Sequence, residues 1–235
     1  MEEKNESQII PKHVALIMDG NRRWARERNL PTIEGHARGY AKLKTVPSWF
    51  FHKGVNIVSV YAFSTENWNR NRDEVNYLMK LLGNALRDDL SEICKKEARL
   101  IVSGRLHELP GDLPELCADA MEKTRNNTKG ILNVCLNYGG RAEIADAFKG
   151  MLANKIEADQ AHEGIIRKYL YQSDIPDPDM IVRTSGEKRL SGFLLWQSAY
   201  SELLFMEKYW PDFEKNDVDF VLVEYERRKR RFGGD

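Results

Sequence analysis

Cysteine is scarce in this chain of 235 residues: Cys94, Cys117 and Cys135 are the only three, far apart and without a C-x-x-C pair. That excludes a zinc ribbon and a disulfide scaffold and fits a reducing compartment. Net charge is lacking too, because 36 Lys and Arg balance 36 Asp and Glu. No global field draws such a chain to nucleic acid or to an acidic membrane, so any anion binding must come from locally placed arginines. No apolar run approaches the roughly 18–20 residues that span a bilayer. The first eight residues are acidic and polar, unlike a signal peptide. The chain has no G-x-x-x-x-G-K-[ST] phosphate loop, G-x-S-x-G elbow or H-E-x-x-H helix. It also has no Gly/Ser linker, low-complexity tract or internal repeat. With 42% apolar and 31% charged residues, it reads as one globular, cytoplasmic domain over residues 1–235, of which 1–9 form a loose N-terminal extension.

What is present is an alternation. Short apolar runs at residues 13–18, 56–63, 99–103, 131–137, 179–184 and 202–206 read as strands. They are continuous rather than alternating, as in a parallel sheet buried on both faces. Longer amphipathic stretches at 35–52, 73–97, 114–126, 141–154 and 214–231 read as helices. Pro47 is expected to kink or split the first of these. Val75, Leu78, Met79, Leu82, Leu86, Leu90 and Ile93 recur at helical spacing along 73–97, a stripe for the core or for a hydrophobic slot. The pattern predicts a single α/β domain with an open, mostly parallel central sheet flanked by helices. Ligands in such folds collect at the carboxyl ends of the strands.

The chemically loaded residues fall at those ends. The first apolar run empties into Asp19-Gly20-Asn21-Arg22-Arg23-Trp24 and then a helix, where free N–H groups and the dipole favour an anion. Arg22 and Arg23 suit phosphate oxygens, and Asp19 beside them points to a divalent cation between carboxylate and phosphate. The second run empties into Ser64-Thr65-Glu66-Asn67-Trp68-Asn69-Arg70, which suits a diphosphate with Trp68 as an apolar wall; an ordinary polar loop has the same composition. The run ending at Arg183 leads to Lys188, Arg189, Leu190 and Ser191, a possible diphosphate clamp or a solvated basic loop. Residues 193–202 read as a helical apolar stretch ending in Glu202, a candidate second metal ligand. His36, near a helix start, could hydrogen-bond a phosphate oxygen.

Taken together, residues 13–26, 61–70 and 181–202 carry a family resemblance. Asn-Tyr-Gly-Gly-Arg at 137–141, Trp-Pro-Asp-Phe at 210–213 and Arg-Arg-Phe-Gly-Gly at 230–234 strengthen it. The chain resembles the cis-prenyltransferases of the bacterial undecaprenyl diphosphate synthase type, from about Ile10 onward. The resemblance implies a homodimer with a hydrophobic tunnel beside the sheet. It implies Mg2+-dependent condensation of isopentenyl diphosphate onto an allylic diphosphate, usually farnesyl diphosphate, and transient contact with the inner membrane face. On the matching positions, Asp19 resembles the Mg2+-coordinating aspartate and Glu202 a second metal ligand. Gly20, Asn21, Arg22 and Arg23, with Trp24 and His36, resemble the allylic diphosphate cradle. Ser64, Thr65, Glu66, Trp68 and Arg70 resemble a second contact loop. Asn67 matches the asparagine often named as proton acceptor, although a neutral amide is a poor base. Arg183, Arg189, Leu190 and Ser191 resemble the isopentenyl diphosphate site. Thr32 is a departure, standing where many relatives place an arginine against the primer. A shorter-chain or irregular synthase, and a silent partner subunit, are the other readings. The site residues being present speaks against the silent subunit.

Overall fold

The computed structural model describes residues 9–88 and 97–228. Six strands, β1 (His13–Ile17), β2 (Ile57–Ser64), β3 (Ala98–Ser103), β4 (Gly130–Tyr138), β5 (Met180–Arg183) and β6 (Glu202–Phe205), form one all-parallel sheet. Their order across it is β3-β4-β2-β1-β5-β6. Each expected strand is present to within a residue or two of its predicted ends. The helices are α1 (Asn21–Glu27), α2 (Thr32–Leu43), α3 (Val46–His52), α4 (Arg72–Asp88), α5 (Leu113–Thr124), α6 (Gly140–Ala153), α7 (Glu163–Tyr169) and α8 (Lys215–Arg227). Among the described residues no helix is long and apolar enough to cross a membrane.

Three expectations are corrected or completed here. The predicted helix 35–52 is two helices, split at Lys44 and Thr45. Pro47 sits at the first turn of α3, where its missing N–H has no intrahelical partner to lose. Residues 191–200 are consecutive turns and not a helix. Ser191, Gly192 and Leu194 all have left-handed backbones, at φ 50°, 82° and 46°, which interrupts a right-handed helix. The short α7 was not anticipated, being a single seven-residue stretch between turns. Parts of the predicted 1–9 extension and of helices 73–97 and 214–231, and the whole of the 230–234 motif, lie outside the described residues.

Side chains alternate across the sheet. One face carries Val14, Leu16, Val58, Val60, Met180 and Val182, packed on Phe50 of α3, Trp210, Phe213 and the α8 residues Val218 and Leu222. Towards β3 and β4 the same face meets α4 and α5. The opposite face holds Ala15, Ile17, Cys135, Tyr138 and Ile181 against Phe193 and Leu194. Each fully buried large side chain contributes about 1.5–3 kcal/mol. Chain order reverses between β1, followed laterally by β2, and β5, followed by β6. The crevice between the carboxyl ends of β1 and β5 is therefore the topological switch point.

Candidate active site

Asp19 and Arg183 meet in that crevice. Arg183, the last residue of β5, donates from Nη2 to Asp19 Oδ2 at 2.8 Å. Its other nitrogen, Nη1, donates to Ser191 Oγ at 2.9 Å and to the Arg189 carbonyl. Its Nε is buried and has no partner, a donor left over for a ligand oxygen. The strand ends are tied reciprocally: Asp19 N–H donates to Thr184 Oγ1 at 3.0 Å, and that hydroxyl donates to the Asp19 carbonyl at 2.7 Å. Gly20 turns the chain into α1 with φ +103°, and a Cβ there would lie 2.6 Å from the Tyr209 ring and 2.9 Å from Ser185. Only glycine serves at this position. Arg23, one turn into α1, reaches Asp19 Oδ2 at 3.5 Å, Glu187 at 3.1 Å, and Ser185.

A second carboxylate organises the neighbouring cations. Glu74, in the first turn of α4, accepts from His36 Nε2 at 2.9 Å and Arg70 at 3.1 Å, with Arg22 at 3.9 Å. Burial works to raise its pKa, but the His36 hydrogen bond and the charges of Arg70 and Arg22 outweigh that and hold it low. Burial pushes the His36 pKa down, so the ring is neutral near pH 7. Three elements, α1, α2 and the segment before α4, are thus drawn to one acid that the sequence reading did not single out. Glu187 plays the same part on the other side, paired with Arg23 and Arg189 and held at a low pKa by the Arg189 hydrogen bond. Its place between two arginines was the available signal.

The remaining predicted residues divide. Ser64 and Asn67 close a capping box on the 3-10 turn Thr65–Asn69, with Asn67 Oδ1 accepting the Ser64 N–H at 3.2 Å. The amide oxygen of Asn67 is therefore committed to its own turn, and its NH2 is a donor rather than a base. Trp68 donates to Asn137 Oδ1 at 2.8 Å, Thr65 lies against Gly139, and Glu66 is exposed. Asn21 turns towards α2, where Gly35 and Gly39 make room for it, and its buried Oδ1 has no partner. Trp24 donates to Asp212 at 2.7 Å and lies under the Arg28 guanidinium. Thr32 opens α2, and Leu190 packs half-buried beneath the Ser191 turn. Glu202 is not brought to Asp19 within the chain. It opens β6 level with Met180 and Val14, at the opposite edge of the sheet, and pairs with Arg228 at 3.0 Å. Asp19 lies five residues beyond Val14, about 16 Å further along the strands. Among the described residues no three acidic, His or Cys side chains converge on a metal position.

Over the β3–β4 part of the sheet, between α2, α3 and α4, lies a cavity of about 490 Å³. Its floor is the even face of β3 and β4 (Leu100, Val102, Leu132, Val134), and its walls are α2 and α3 (Leu43, Phe51) and α4 (Leu82, Leu86). Its walls come from the segments 35–52 and 73–97, beside a sheet where the family resemblance implies a hydrophobic tunnel. A parallel α/β sheet with arginines and a carboxylate at its switch point, and an apolar slot between helices that also carry His36 and Glu74, suits an enzyme whose ligand has an anionic head and a hydrocarbon tail.

Comparison with known proteins narrows that class. Residues 17–233 match the family model described as putative undecaprenyl diphosphate synthase. The chain is 43% identical to a farnesyl-diphosphate-specific ditrans,polycis-undecaprenyl-diphosphate synthase of Micrococcus luteus, over 96% of this chain and 92% of that protein. It is 44% identical to a geranylgeranyl-diphosphate-specific tritrans,polycis-undecaprenyl-diphosphate synthase of Pyrococcus furiosus, over 98% and 90%. A crystal structure of lavandulyl diphosphate synthase from Lavandula x intermedia, in complex with dimethylallyl diphosphate, superposes with a TM-score of 0.91 at 31% identity, covering 95% and 98% of the two chains. The protein belongs to the undecaprenyl diphosphate synthase family of cis-prenyltransferases and is a cis-prenyl diphosphate synthase.

Proposed function

We propose that this enzyme condenses isopentenyl diphosphate onto farnesyl diphosphate in repeated Mg2+-dependent steps to make a long polyprenyl diphosphate, of the kind that carries glycans. The observation that carries this reading is that α2 and α4 serve both ends: they hold His36 and Glu74 against Arg22 and Arg70, and they wall the 490 Å³ apolar cavity. One end suits a diphosphate and the other suits only hydrocarbon. Mg2+ fits the donor set. It characteristically takes one or two carboxylates and completes its shell with water and substrate phosphate oxygens, and Asp19 is a carboxylate amid phosphate-seeking arginines. Bound there, it would supply positive charge to the departing diphosphate.

The chain's own residues account for the rest. As the allylic C–O bond breaks, its electron pair passes to the diphosphate, and the cations of Arg22 and Arg23 with the N–H groups of α1 stabilise that charge. Arg183, Arg189 and Ser191 hold the second diphosphate, aligning the alkene carbon of isopentenyl diphosphate with the allylic carbon. The new C–C bond forms, and the proton lost goes to a diphosphate oxygen or water. Asn67 positions the substrate through its NH2. The product's tail enters the cavity and leaves the water.

Two observations bear on finer points. The relatives at 43% and 44% identity differ in primer, and we assign farnesyl diphosphate, with Thr32, which lacks the cation many relatives place there, weakening its grip. The likeness to lavandulyl diphosphate synthase favours, as a second reading, a short-chain or irregular product. Exposed Ile144, Phe148 and Leu152 recur along one stripe of α6, which supports the homodimer. A cytoplasmic enzyme with transient contact at the inner membrane face completes the proposal.

The test is incorporation of labelled isopentenyl diphosphate with farnesyl diphosphate and Mg2+, the products sized by chromatography. Asp19→Ala is expected to lose on the order of 10²–10³-fold in turnover. Short products would move the enzyme to the second reading. An Asp19→Ala variant as active as the parent would overturn the site.

A further inference from the structure

The segment 137–140, Asn-Tyr-Gly-Gly, ends β4 and touches neither arginine cluster, yet every one of its residues engages a loop of the site. Asn137 has a left-handed backbone at φ 47°, uncommon for a non-glycine residue and tolerated best by Asn. Its side chain is buried and fully used. Oδ1 accepts from Trp68 Nε1 at 2.8 Å, and Nδ2 donates to the Arg105 carbonyl at 2.9 Å and to Glu108 at 3.0 Å. Tyr138 accepts the Tyr61 hydroxyl on its carbonyl at 3.2 Å, and its own hydroxyl donates to Glu143 at 2.5 Å. That same carboxylate accepts from Gln197 at 3.1 Å, in the turn following Ser191. A Cβ on Gly139 would lie 2.5 Å from Thr65 Oγ1. Gly140 donates its N–H to the Gly192 carbonyl at 2.7 Å, and a Cβ there would lie 2.8 Å from that oxygen and 2.8 Å from Leu195.

We propose that segment 137–140 is the positioning device of the reaction, setting two loops independently. Asn137, through Trp68, sets the loop 64–70 that bears Asn67. Gly140, through Gly192, sets the loop 183–192 that bears Arg183 and Ser191. The physical reason is contact at closed distances. The loops leave the ends of β2 and β5, and both come to rest on the end of β4, Trp68 on Asn137 and Gly192 on Gly140. A rigid strand end fixes donors to within a fraction of an ångström, and a 1 Å misplacement of reacting groups costs up to about 10²-fold. The inference rests on the proposed function, which assigns isopentenyl diphosphate to the 183–192 loop.

Crossed kinetics test it. Asn137→Gly suits the left-handed backbone and removes only the three hydrogen bonds, so the fold is expected to survive. It should lower kcat about 10-fold or more while leaving the KM for isopentenyl diphosphate within about twofold. Trp68→Phe should do the same, and the double variant should be no worse than either single one, since both cut one link. Gly140→Ala should instead raise the KM for isopentenyl diphosphate about 10-fold and spare the KM of the allylic primer. If Gly140→Ala does not fold, Gln197→Ala, which releases the same turn from its other end, takes its place. The proposal is overturned if the variants shift all parameters alike, or if they lower only the melting temperature. Arg183→Ala in the same assays separates the two levels. If it leaves the KM for isopentenyl diphosphate unchanged, the loop assignment itself has failed and the proposal falls with it. If it raises that KM while Gly140→Ala does not, the positioning role alone is wrong.

Discussion

The two faces of the parallel sheet share one backbone and carry opposite contents. On the even face, β3 and β4 present Leu100, Val102, Leu132 and Val134 to an apolar cavity of about 490 Å³. On the odd face, a chain of buried polar groups crosses four strands. His13 of β1 meets the Ser59 hydroxyl of β2 at 2.8 Å, Asn133 of β4 donates to Ser59 at 2.9 Å, and Ser103 of β3 donates to Asn133 at 2.7 Å. The direction of every bond follows from one end. The Pro176 carbonyl, 2.7 Å from His13 Nδ1, can only accept, so Nδ1 carries the hydrogen and Nε2 accepts from Ser59. The polar chain is satisfied within itself, whereas the even face is left open where β3 and β4 line the cavity. A sheet can bury polar groups cheaply when every donor has an acceptor, and it can hold a void only where the lining asks nothing of water.

The largest expected effect comes from breaking the polar chain at its middle. Asn133→Leu removes the bonds to Ser59 and Ser103 and a weaker one to the Cys135 sulfur, strands the Ser103 hydroxyl, and is expected to cost about 3–4 kcal/mol, read by urea unfolding. Adding Ser103→Ala should recover part of that loss, because the stranded hydroxyl is then gone while Ser59 keeps its bond to His13 Nε2. Failure to recover would mean that the chain acts through packing.

Next is the pH response of the same face. Burial holds the His13 pKa down from 6.5 to about 4, against the opposing pull of the Pro176 hydrogen bond and the Asp179 and Asp177 charges. Between those values the unfolded chain binds a proton that the folded chain refuses. The stability due to neutral His13 is therefore complete above pH 6.5 and is lost as pH falls towards 4. The loss amounts to about 3 kcal/mol. Unfolding free energies from pH 8 to 4, compared with His13→Gln, should show a slope that the variant lacks.

The even face should answer differently. Val134→Phe places a ring in existing space, so its effect on stability should stay under about 1 kcal/mol, less than ordinary overpacking costs. The product ladder should shorten all the same. Equal product lengths would place the growing chain elsewhere.

Smallest in energy is a chemical contrast between two thiols. Cys117 lines the cavity, its pKa pushed up to about 11 by burial, and Cys135 lies in the polar face, pushed up likewise. An apolar organomercurial that enters the cavity should modify Cys117 and leave Cys135 untouched, with protection by a long allylic diphosphate. Peptide mass spectrometry reads both sites at once.

Much of this was legible in the chain itself. Largely apolar runs marked all six strands, because a strand buried on both faces spends few positions on polar groups. Asp19, Arg23, Asn67, Arg70 and Arg183 stood out as polar residues directly after such runs. Residues 193–202 misled because apolar content alone cannot reveal left-handed backbones at Ser191, Gly192 and Leu194. Glu74 was hidden in a helix start, where an acidic residue is expected for local reasons. Only the approach of α1 and α2 makes it the shared partner of His36, Arg70 and Arg22.

By itself, then, the sequence determined the parallel α/β class, the balance of charge and the residues that end each strand, since these follow from local composition and period. Tertiary structure alone decided which ends meet. Strand order puts Asp19 2.8 Å from Arg183 across a sequence separation of 164 and holds Glu202 at the far edge. That order comes from how two helical layers cover two faces of a sheet, and no local pattern records it.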